Sequence, residues 1–209
     1  MLIWSLFLEI LLPLVGAERI GGWRKDFQAF AAASAFKEGR CVALVGLEKG
    51  KVLVATAQLG DPFFGKTVVI LLEADCNGAL GLVINRPTTI RFAQAFPDKP
   101  QAVNHPEPIF LGGPVATDRV LLIIHSKTPL KETHSIFGNL YWSGDPSVFD
   151  QVMDPTKSKD RFRVYIGHAG WAPGQLENEV SRGDWEVLPA KEELVFDPSP
   201  QGVWQQLIK

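Results

Sequence analysis

Three turn segments of this 209-residue chain carry side chains that can do chemistry, and each one follows a stretch that reads as a strand. The first contains Thr56 and Asp61, the second ends in Asn85-Arg86, and the third runs from Gly167 to Gln175. Carboxylate, amide and guanidinium groups at strand ends can act as bases, hydrogen-bond partners or anion anchors. Turns at strand ends are also where folds usually place binding and catalytic residues.

Two interpretations remain open for the first segment. The Asp61 carboxylate can act as a base or orient a donor, but an Asp before a Pro more often caps its own turn through the backbone. Thr56, at the end of the preceding strand, has the same two interpretations. Phe64 is most simply a core aromatic residue.

Asn85-Arg86-Pro87 combines an amide with a cation at the end of a strand. Asn can donate and accept hydrogen bonds, while the guanidinium is a fixed fork suited to carboxylate or phosphate. Pro87 favours an extended conformation at Arg86. Arg86 therefore either binds an anionic ligand or pairs with a nearby Asp or Glu.

Gly112-Gly113-Pro114 forms a Gly-rich turn directly before Asp118-Arg119. Two glycines allow a backbone to approach a ligand closely, and they also simply make turns. The segment matches neither the phosphate-binding loop nor the dinucleotide-binding fingerprint.

The third turn precedes a predicted helix over residues 173–182, whose free N–H groups would form an anion site. Gln175 and Glu179 fall four residues apart on one face of that helix. The alternative is that Trp171 fills the core and its neighbouring glycines, Gly170 and Gly174, only allow it to do so.

Nothing in the sequence assembles a catalytic triad. The four histidines are scattered without metal-ligand spacing, and no nucleophile elbow accompanies them. Cys41 and Cys76 stand in no recognisable catalytic context; two free thiols are expected, although one bridge is possible if the protein is exported. We therefore expect no catalytic residue set, no metal site and no cofactor.

Composition limits the partners. The formal net charge is −2, and acidic and basic residues are mixed along the chain, so direct nucleic-acid binding is not expected. A hydrophobic content of 46% is sufficient for a real core. We expect one domain over residues 46–209.

Residues 1–45 form an apolar leader and a helical extension in this interpretation. The apolar run over residues 2–15 is too short for a helix that spans a bilayer, so no stable membrane span is expected. Val15-Gly16-Ala17 resembles a signal-peptidase site, whereas Glu9 and the lack of an earlier basic residue do not fit a signal peptide. The alternatives are an amphipathic or buried helix, or a start codon placed too far upstream. Residues 24–37 are predicted to be helical.

The hydrophobic pattern predicts an α+β fold. The run TVVILL, residues 67–72, is typical of a strand buried on both faces, and Asn77-Gly78 predicts a type I′ turn between strands 68–73 and 79–84. A helix is expected over 88–96 and an exposed polar loop over 97–108. Further strands are predicted at 51–56, 109–111, 120–125, 138–142, 161–167 and 185–188, and further helices at 145–153 and from Ser199 to the C-terminus.

Four blocks, in this order and spacing, resemble the YqgE/AlgH family: LVATAQLGDPFFGKTVVILLE, GALGLVINRP, LGGPVATDRVLLIIHS and GHAGWAPGQLENEVSRGDW. The resemblance covers residues 50 to the C-terminus and implies an α+β fold in which a branched β-sheet curls into a pseudo-barrel with flanking helices. It also implies a bacterial protein of the cytosol, with export as the alternative if residues 1–17 are a cleaved signal peptide. Ala57 and His168 depart from the Pro and Tyr usual in the family. The residues at the family's motif positions are Thr56, Asp61, Phe64, Asn85, Arg86, Pro87, Gly112, Gly113, Pro114, Gly170, Trp171, Gly174 and Gln175.

The favoured function is a non-enzymatic regulatory or binding protein. Three turns, Asn85-Arg86-Pro87, Gly112-Gly113-Pro114 and the one from Gly170 to Gln175, would converge on one pocket for a small anionic ligand or for an acidic group of a protein partner. One alternative is a hydrolase or transferase with Asp61 or His125 as base and Arg86 as anchor. Another is a regulator that acts indirectly on transcription, as the resemblance implies for some family members.

Overall fold

A computed structural model describes residues 46–154, 156, 158 and 160–208 of the chain. Most of the regular structure is β-sheet. The ten strands are β1 (Lys51–Ala55), β2 (Val68–Asp75), β3 (Gly78–Val83), β4 (Pro87–Arg91), β5 (Pro108–Leu111), β6 (Val115–His125), β7 (His134–Phe137), β8 (Leu140–Ser143), β9 (Arg161–Trp171) and β10 (Trp185–Pro189).

The helices are few and short. The α-helices are α1 (Phe92–Ala95), α2 (Pro146–Met153), α3 (Gln175–Ser181), α4 (Glu192–Val195) and α5 (Val203–Leu207), and two 3-10 helices cover Pro100–Asn104 and Pro200–Gly202. In α2 the Asp145 carboxylate accepts a hydrogen bond from Ser147 N, and Pro146 occupies the first turn, as its sequence predicts.

The strands form a large and mostly antiparallel sheet in the order β10-β1-β2-β3-β9-β6-β8-β7. A branch consists of β5, which is parallel to β9, and β4, which pairs with β5. The α+β class and the branching are thus confirmed. The expected curling into a pseudo-barrel is not: in the described part of the chain the path is open, ending at β10 and β7. Strand β9 divides its pairing among β6, β5 and β3, so the sheet branches there instead of returning on itself.

Strand β2 shows why an unbroken apolar run belongs at the centre of this sheet. Val68, Ile70 and Leu72 point into one hydrophobic cluster, together with residues of β6 and β8. Val69 and Leu71 point into another, with residues of β9 and β10. Because successive side chains of a strand alternate between faces, burial on both faces needs apolar residues at every position.

The β2–β3 hairpin is confirmed, but its turn differs from the predicted type I′. Asp75 pairs with Gly78, so Cys76 and Asn77 form the turn, and the left-handed conformation falls on Gly78, with φ of 127°. The Asp75 carboxylate accepts a hydrogen bond from Asn77 N at 2.7 Å. This side-chain cap stabilises a turn in which Asn77 does not need a positive φ.

The predicted helix over residues 88–96 is wrong in its first half. Pro87–Arg91 is strand β4, and only Phe92–Ala95 is helical. Thr88 donates a hydrogen bond to the Ile109 carbonyl at 2.8 Å, which ties β4 to β5. The β-branched Thr88, Thr89 and Ile90 suit this extended edge better than a helix.

The C-terminal segment docks on the sheet by hydrogen bonds as well as by apolar contacts. Trp204 Nε1 donates to the Ala55 carbonyl at 2.7 Å, and Val203 is fully buried. The buried Arg163 guanidinium donates to the carbonyls of Val195 and Asp197 at 2.6 and 2.7 Å. The side chain of Ser199, which precedes the second 3-10 helix, forms no capping hydrogen bond.

The expected leader, the helix over residues 24–37 and the state of Cys41 all lie outside the described residues. Among the helices that the structure describes, none is long and apolar enough to cross a membrane.

Candidate functional site

Asp61 holds together the turn that connects β1 to β2. Its Oδ1 accepts hydrogen bonds from the backbone N of Phe63 and of Phe64, both at 2.8 Å, and its carbonyl accepts from Gly65 N at 3.0 Å. We call residues 61–66 the Asp61 turn. Of the two interpretations of Asp61, the geometry supports the structural one.

Asn85 joins the Asp61 turn to the sheet. This side chain is 6% exposed; its Oδ1 accepts from Val68 N at 2.9 Å and its Nδ2 donates to the Lys66 carbonyl at 3.0 Å. The second bond fixes Lys66 in a left-handed conformation, with φ of 61°. This conformation is costly for a residue other than glycine, so the hydrogen bond from Asn85 stabilises a strained backbone at Lys66.

Arg86 lies against the same turn and is half-buried. Its Nη2 donates to the Gly65 carbonyl at 3.1 Å, and its guanidinium carbon lies 4.9 Å from the centre of the Phe63 ring. Its Nη1 is buried and has no hydrogen-bond partner among the described residues. Burial lowers the pKa of Arg86, while the nearby Asp61 carboxylate acts in the opposite direction. An arginine nonetheless remains charged at every pH of interest.

Among the described residues, the Arg86 cation therefore lacks the ion-pair partner that one interpretation of the sequence assigned to it. None of the ion pairs between described residues includes Arg86. A guanidinium has five N–H donors, and that of Arg86 donates to the Gly65 carbonyl and lies over the Phe63 ring. This arrangement leaves hydrogen-bonding capacity for an anion.

Gly112 and Gly113 serve close packing of the backbone against β9. A Cβ at Gly113 would lie 2.0 Å from the His168 carbonyl carbon, and one at Gly112 would lie 2.5 Å from the Gly167 carbonyl oxygen. The backbone of Gly112 also forms hydrogen bonds to β3 and β9: its carbonyl accepts from Val83 N and its N–H donates to the Ile166 carbonyl. These glycines therefore allow the backbone to approach β9 and not a ligand. This fits the interpretation that they serve the turn.

Trp171 belongs to a hydrogen-bonded group centred on Glu179. Its Nε1 donates to Glu179 Oε2 at 2.8 Å, and Trp185 Nε1 donates to the same oxygen at 2.9 Å. The other carboxylate oxygen accepts from Gln175 Nε2 at 2.9 Å. The side chain of Gln175 also accepts from Ala172 N at 3.1 Å. Gln175 and Trp171 are thus committed to holding α3 against β9.

The predicted anion site at the start of the helix is not supported. The helix begins at Gln175 rather than at residue 173 and has seven residues, because β9 extends through Gly170 and Trp171. Gln175 N donates to the Ala172 carbonyl, and Glu177 places a negative charge in the first turn. An anion there would meet a carboxylate. Gly170 is exposed, and a Cβ there would meet only the His168 ring, at 3.8 Å.

The hydrogen bonds of Thr56 go to the segment before β10 and to its own turn. Its hydroxyl donates to the Gly183 carbonyl at 2.7 Å and accepts from Gln58 N at 3.3 Å. Its backbone N donates to the Asp184 carbonyl at 3.0 Å. The bonds to Gly183 and Asp184 connect the end of β1 to the turn before β10.

The three predicted turns therefore converge only in part. Asp61, Asn85 and Arg86 meet around the Asp61 turn, with Leu111 N donating to the Arg86 carbonyl at 2.9 Å from the Gly112-Gly113 side. Phe64 connects this group to Trp171, at 6.3 Å between ring centres. The polar groups of the third turn face Glu179 and not Arg86.

The geometry does not support His125 as a base that acts together with Arg86. His125 lies opposite Arg161 at one end of the 11-residue strand β9, where its Nε2 is 3.3 Å from Glu192. The Asp61 turn contacts Trp171 at the other end of β9 through Phe64. A strand of this length spans on the order of 30 Å, well beyond hydrogen-bond reach. In the described residues, no group of three or more His, Cys, Asp or Glu can hold a metal ion.

Phe63 is the residue of this site that sequence reasoning missed. The available signal was a pair of aromatic residues directly after the turn-forming Asp61-Pro62 step. Phe64 is half-buried and packs against Trp185, with ring centres 5.8 Å apart, so its interpretation as a packing aromatic holds. The Phe63 ring, by contrast, contacts the Arg86 guanidinium.

Comparison with known proteins gives consistent matches. The model of a family described as AlgH-like matches residues 52–209, which include every residue of the candidate site. A UPF0301 protein of Cytophaga hutchinsonii is 31% identical over 165 residues, covering 78% of this chain and 89% of the relative. A UPF0301 protein of Streptomyces coelicolor is 32% identical over 169 residues, covering 77% and 84%.

Two solved structures have a similar fold. The solution structure of the AlgH protein from Pseudomonas aeruginosa matches with a TM-score of 0.65 and 30% identity, over 82% of this chain and 90% of that one. The crystal structure of a protein from Corynebacterium diphtheriae matches with a TM-score of 0.64 and 24% identity, over 77% and 85%. At 24% identity, the match to the Corynebacterium diphtheriae protein shows only that the fold is similar.

Proposed function

This chain belongs to the AlgH-like family, and we propose that it is a non-enzymatic binding protein in which Arg86 anchors an anionic group of a small ligand or of a partner protein. The proposal rests on the Nη1 nitrogen of Arg86, which is buried and has no hydrogen-bond partner among the described residues. A buried donor without a partner is costly, and charged donors cost more than neutral ones. A carboxylate or phosphate oxygen would satisfy it.

The surroundings of Arg86 favour an anion over a neutral acceptor. The guanidinium forms one hydrogen bond, to the Gly65 carbonyl, and the Asp61 carboxylate near it is committed to two backbone N–H groups. Asp61 therefore moderates the positive charge without neutralising it by an ion pair. A fork of N–H donors in a partly desolvated place binds carboxylate or phosphate strongly and with defined geometry.

Two observations favour binding over catalysis. Asp61 holds its own turn, and His125 lies 3.3 Å from Glu192 at the far end of β9, so neither stands beside Arg86 as a free base. General acid–base catalysis needs such a group within hydrogen-bond reach of the reacting atoms. A ligand or an acidic partner segment requires only the anchor and the surface around it.

An effect on transcription would, in this proposal, pass through the bound ligand or partner. The net charge is −2, and a protein that neutralises several DNA phosphates needs a basic face. Direct binding to DNA is not part of the proposal.

A thermal-shift panel on the full chain tests the proposal with inorganic phosphate, acetate, citrate and adenosine 5′-monophosphate. A ligand that binds only the folded state must raise the Tm. We expect at least one of these anions to raise the Tm of the parent protein and not of Arg86→Gln. Arg91→Gln is the matched control, since it removes an exposed arginine from β4.

The two variants separate site binding from the general stabilising effect of salts such as phosphate, which acts on every folded protein. A Tm rise of equal size in the parent, Arg86→Gln and Arg91→Gln would assign the effect to the salt. That result, or no rise with any of the four anions, would overturn the proposal.

A further inference from the structure

Asn85 and Arg86 are adjacent in the chain and bond to two consecutive carbonyls of the Asp61 turn. Asn85 Nδ2 donates to the Lys66 carbonyl at 3.0 Å, and Arg86 Nη2 donates to the Gly65 carbonyl at 3.1 Å. We propose that Asn85 is a positioning residue for the anion site. It holds Lys66 in a left-handed conformation, and this conformation directs the Gly65 carbonyl at the guanidinium that binds the anion. This inference rests on the proposed function.

The torsion angles of Lys66 connect these two hydrogen bonds. The Gly65 carbonyl belongs to the peptide group before Lys66, and the Lys66 carbonyl belongs to the peptide group after it. Because peptide groups are planar, the φ and ψ of Lys66 set how the two carbonyls are oriented to each other. The φ of Lys66 is 61°. A change to the usual negative φ would rotate the Gly65 carbonyl by roughly 120°, away from Arg86.

The other hydrogen bonds of the Asp61 turn hold the parts of the chain on either side of Lys66. Before Lys66, the side chain and carbonyl of Asp61 together accept from three backbone N–H groups. After it, Thr67 donates to the Phe64 carbonyl from its backbone N, at 3.1 Å, and from its hydroxyl, at 2.7 Å. The carbonyl of Lys66 itself is bonded to Asn85. Asn85 therefore acts on the left-handed residue of the turn from outside the turn.

The orientation of the guanidinium matters because it binds carboxylate or phosphate through the N–H groups in its own plane. The Gly65 carbonyl holds Nη2, and the centre of the Phe63 ring lies 4.9 Å from the guanidinium carbon. Both contacts are made by the Asp61 turn. An arginine side chain loses much conformational freedom when it is ordered, so a guanidinium that is ordered before the anion arrives binds more tightly.

The left-handed conformation gives this inference a size and a rescue. For a residue with a Cβ, this conformation is disfavoured by a factor on the order of 5 to 30, whereas glycine adopts it freely. Without the Asn85 hydrogen bond, the conformation that directs the Gly65 carbonyl at Arg86 is populated less. The apparent Kd then rises by the inverse of the remaining fraction. Glycine in place of Lys66 should restore binding in the absence of the Asn85 amide.

The experiment is a titration of the full chain with inorganic phosphate, followed by the guanidinium NMR signals of Arg86. The proteins are the parent, Asn85→Ala, Lys66→Gly and the double variant Asn85→Ala/Lys66→Gly. Val152→Ala is the matched control for lost stability, since Val152 is buried in a separate hydrophobic cluster.

A second comparison, Lys66→Val against Lys66→Gly, tests the inference even if Asn85→Ala fails to fold. A β-branched residue resists a positive φ, and glycine does not. Both variants lack the lysine ammonium group and its contact with the Trp204 ring, so the lost charge is common to them.

We expect the phosphate Kd to rise about 5- to 30-fold in Asn85→Ala and in Lys66→Val. It should stay within about 3-fold of the parent value in Lys66→Gly, in the double variant and in Val152→Ala. With the parent binding, a parent-like Kd in Asn85→Ala, or a double variant as weak as Asn85→Ala, would overturn the positioning role and leave the proposed function standing. Equal Kd values for Lys66→Val and Lys66→Gly would do the same. No response of the Arg86 signals in the parent would overturn the proposed function itself.

Discussion

Trp171 and Glu179 form a hydrogen bond of 2.8 Å between the indole Nε1 and the carboxylate Oε2, and the same oxygen accepts the indole of Trp185. One carboxylate thus joins the end of β9, helix α3 and the start of β10. Both indoles are nearly fully buried, so their N–H groups need this acceptor. The third predicted turn is held by this contact, which explains why its polar side chains do not face a ligand.

Glu179→Gln should lower the free energy of unfolding by about 1 to 3 kcal/mol. A glutamine amide offers one oxygen and one NH2 group, so either the two indoles or Gln175 would face a donor. Urea unfolding followed by tryptophan fluorescence measures the change. Glu193→Gln, an exposed glutamate in α4, is the control and should alter stability little. Equal stability of Glu179→Gln and the parent would contradict the role assigned to the carboxylate.

Gly113→Ala and Gly170→Ala should differ sharply in stability. A methyl group at Gly113 would overlap the His168 carbonyl, so we expect a loss of more than about 4 kcal/mol or failure to fold. Gly170 is exposed and has room for a Cβ, so its variant should stay within about 1 kcal/mol of the parent. Soluble yield and Tm report both outcomes. Normal stability of Gly113→Ala would refute the packing role.

Stability should depend on pH through His168. Burial lowers the pKa of this imidazole to about 4, and the nearby Arg119 cation acts in the same direction. In the unfolded chain a histidine titrates near 6.5, so between those values the unfolded state binds more protons. The stability that the neutral imidazole contributes is therefore complete above pH ~6.5 and is lost as the pH falls toward ~4.

The measurement is urea unfolding of the parent and of His168→Phe between pH 7.5 and 4.5. Other groups titrate in both proteins, so the difference between the two curves isolates His168. The parent should lose about 1 to 3 kcal/mol relative to the variant over this range. Parallel curves would show that His168 titrates alike in the folded and unfolded chain.

Asn85→Ala should lower the free energy of unfolding by about 2 to 4 kcal/mol. It removes the amide that bonds to both Val68 N and the Lys66 carbonyl, and Val68 N is then left without a partner at a fully buried residue. It also releases the left-handed Lys66. Asn139→Ala, at an exposed asparagine, is the comparison. A loss no larger than that of Asn139→Ala would mean that water replaces the amide.

Local signals predicted the parts of this fold that depend on local chemistry. The TVVILL run placed β2 at the centre of the sheet, and Asp145-Pro146 marked the start of α2. For residues 88–91 the β-branched side chains are only a weak local signal, and the pairing with β5 that makes them a strand is a contact with a distant part of the chain. The open, branched sheet likewise follows from β9 pairing with three strands, a relationship that no local pattern records.

The polar residues of the candidate site were predictable, but their roles were not. Asn85 and Arg86 were identified from side-chain chemistry, and they do meet Asp61 around one turn. Asn85 forms hydrogen bonds to the backbone before β2, and Gly113 leaves room for His168. Both roles depend on residues far along the chain. The side chain of Phe63 has no polar atoms, so its chemistry gives no sign of a role in a binding site.

The most direct measurement of the central claim is NMR of the arginine guanidinium signals during addition of inorganic phosphate to the full chain. The Arg86 signals, assigned by their absence in Arg86→Lys, should shift and saturate, while those of the exposed Arg91 and Arg182 should shift little and without saturation. An Arg86 signal that stays in place, or that moves no more than those of the exposed arginines, would contradict the account.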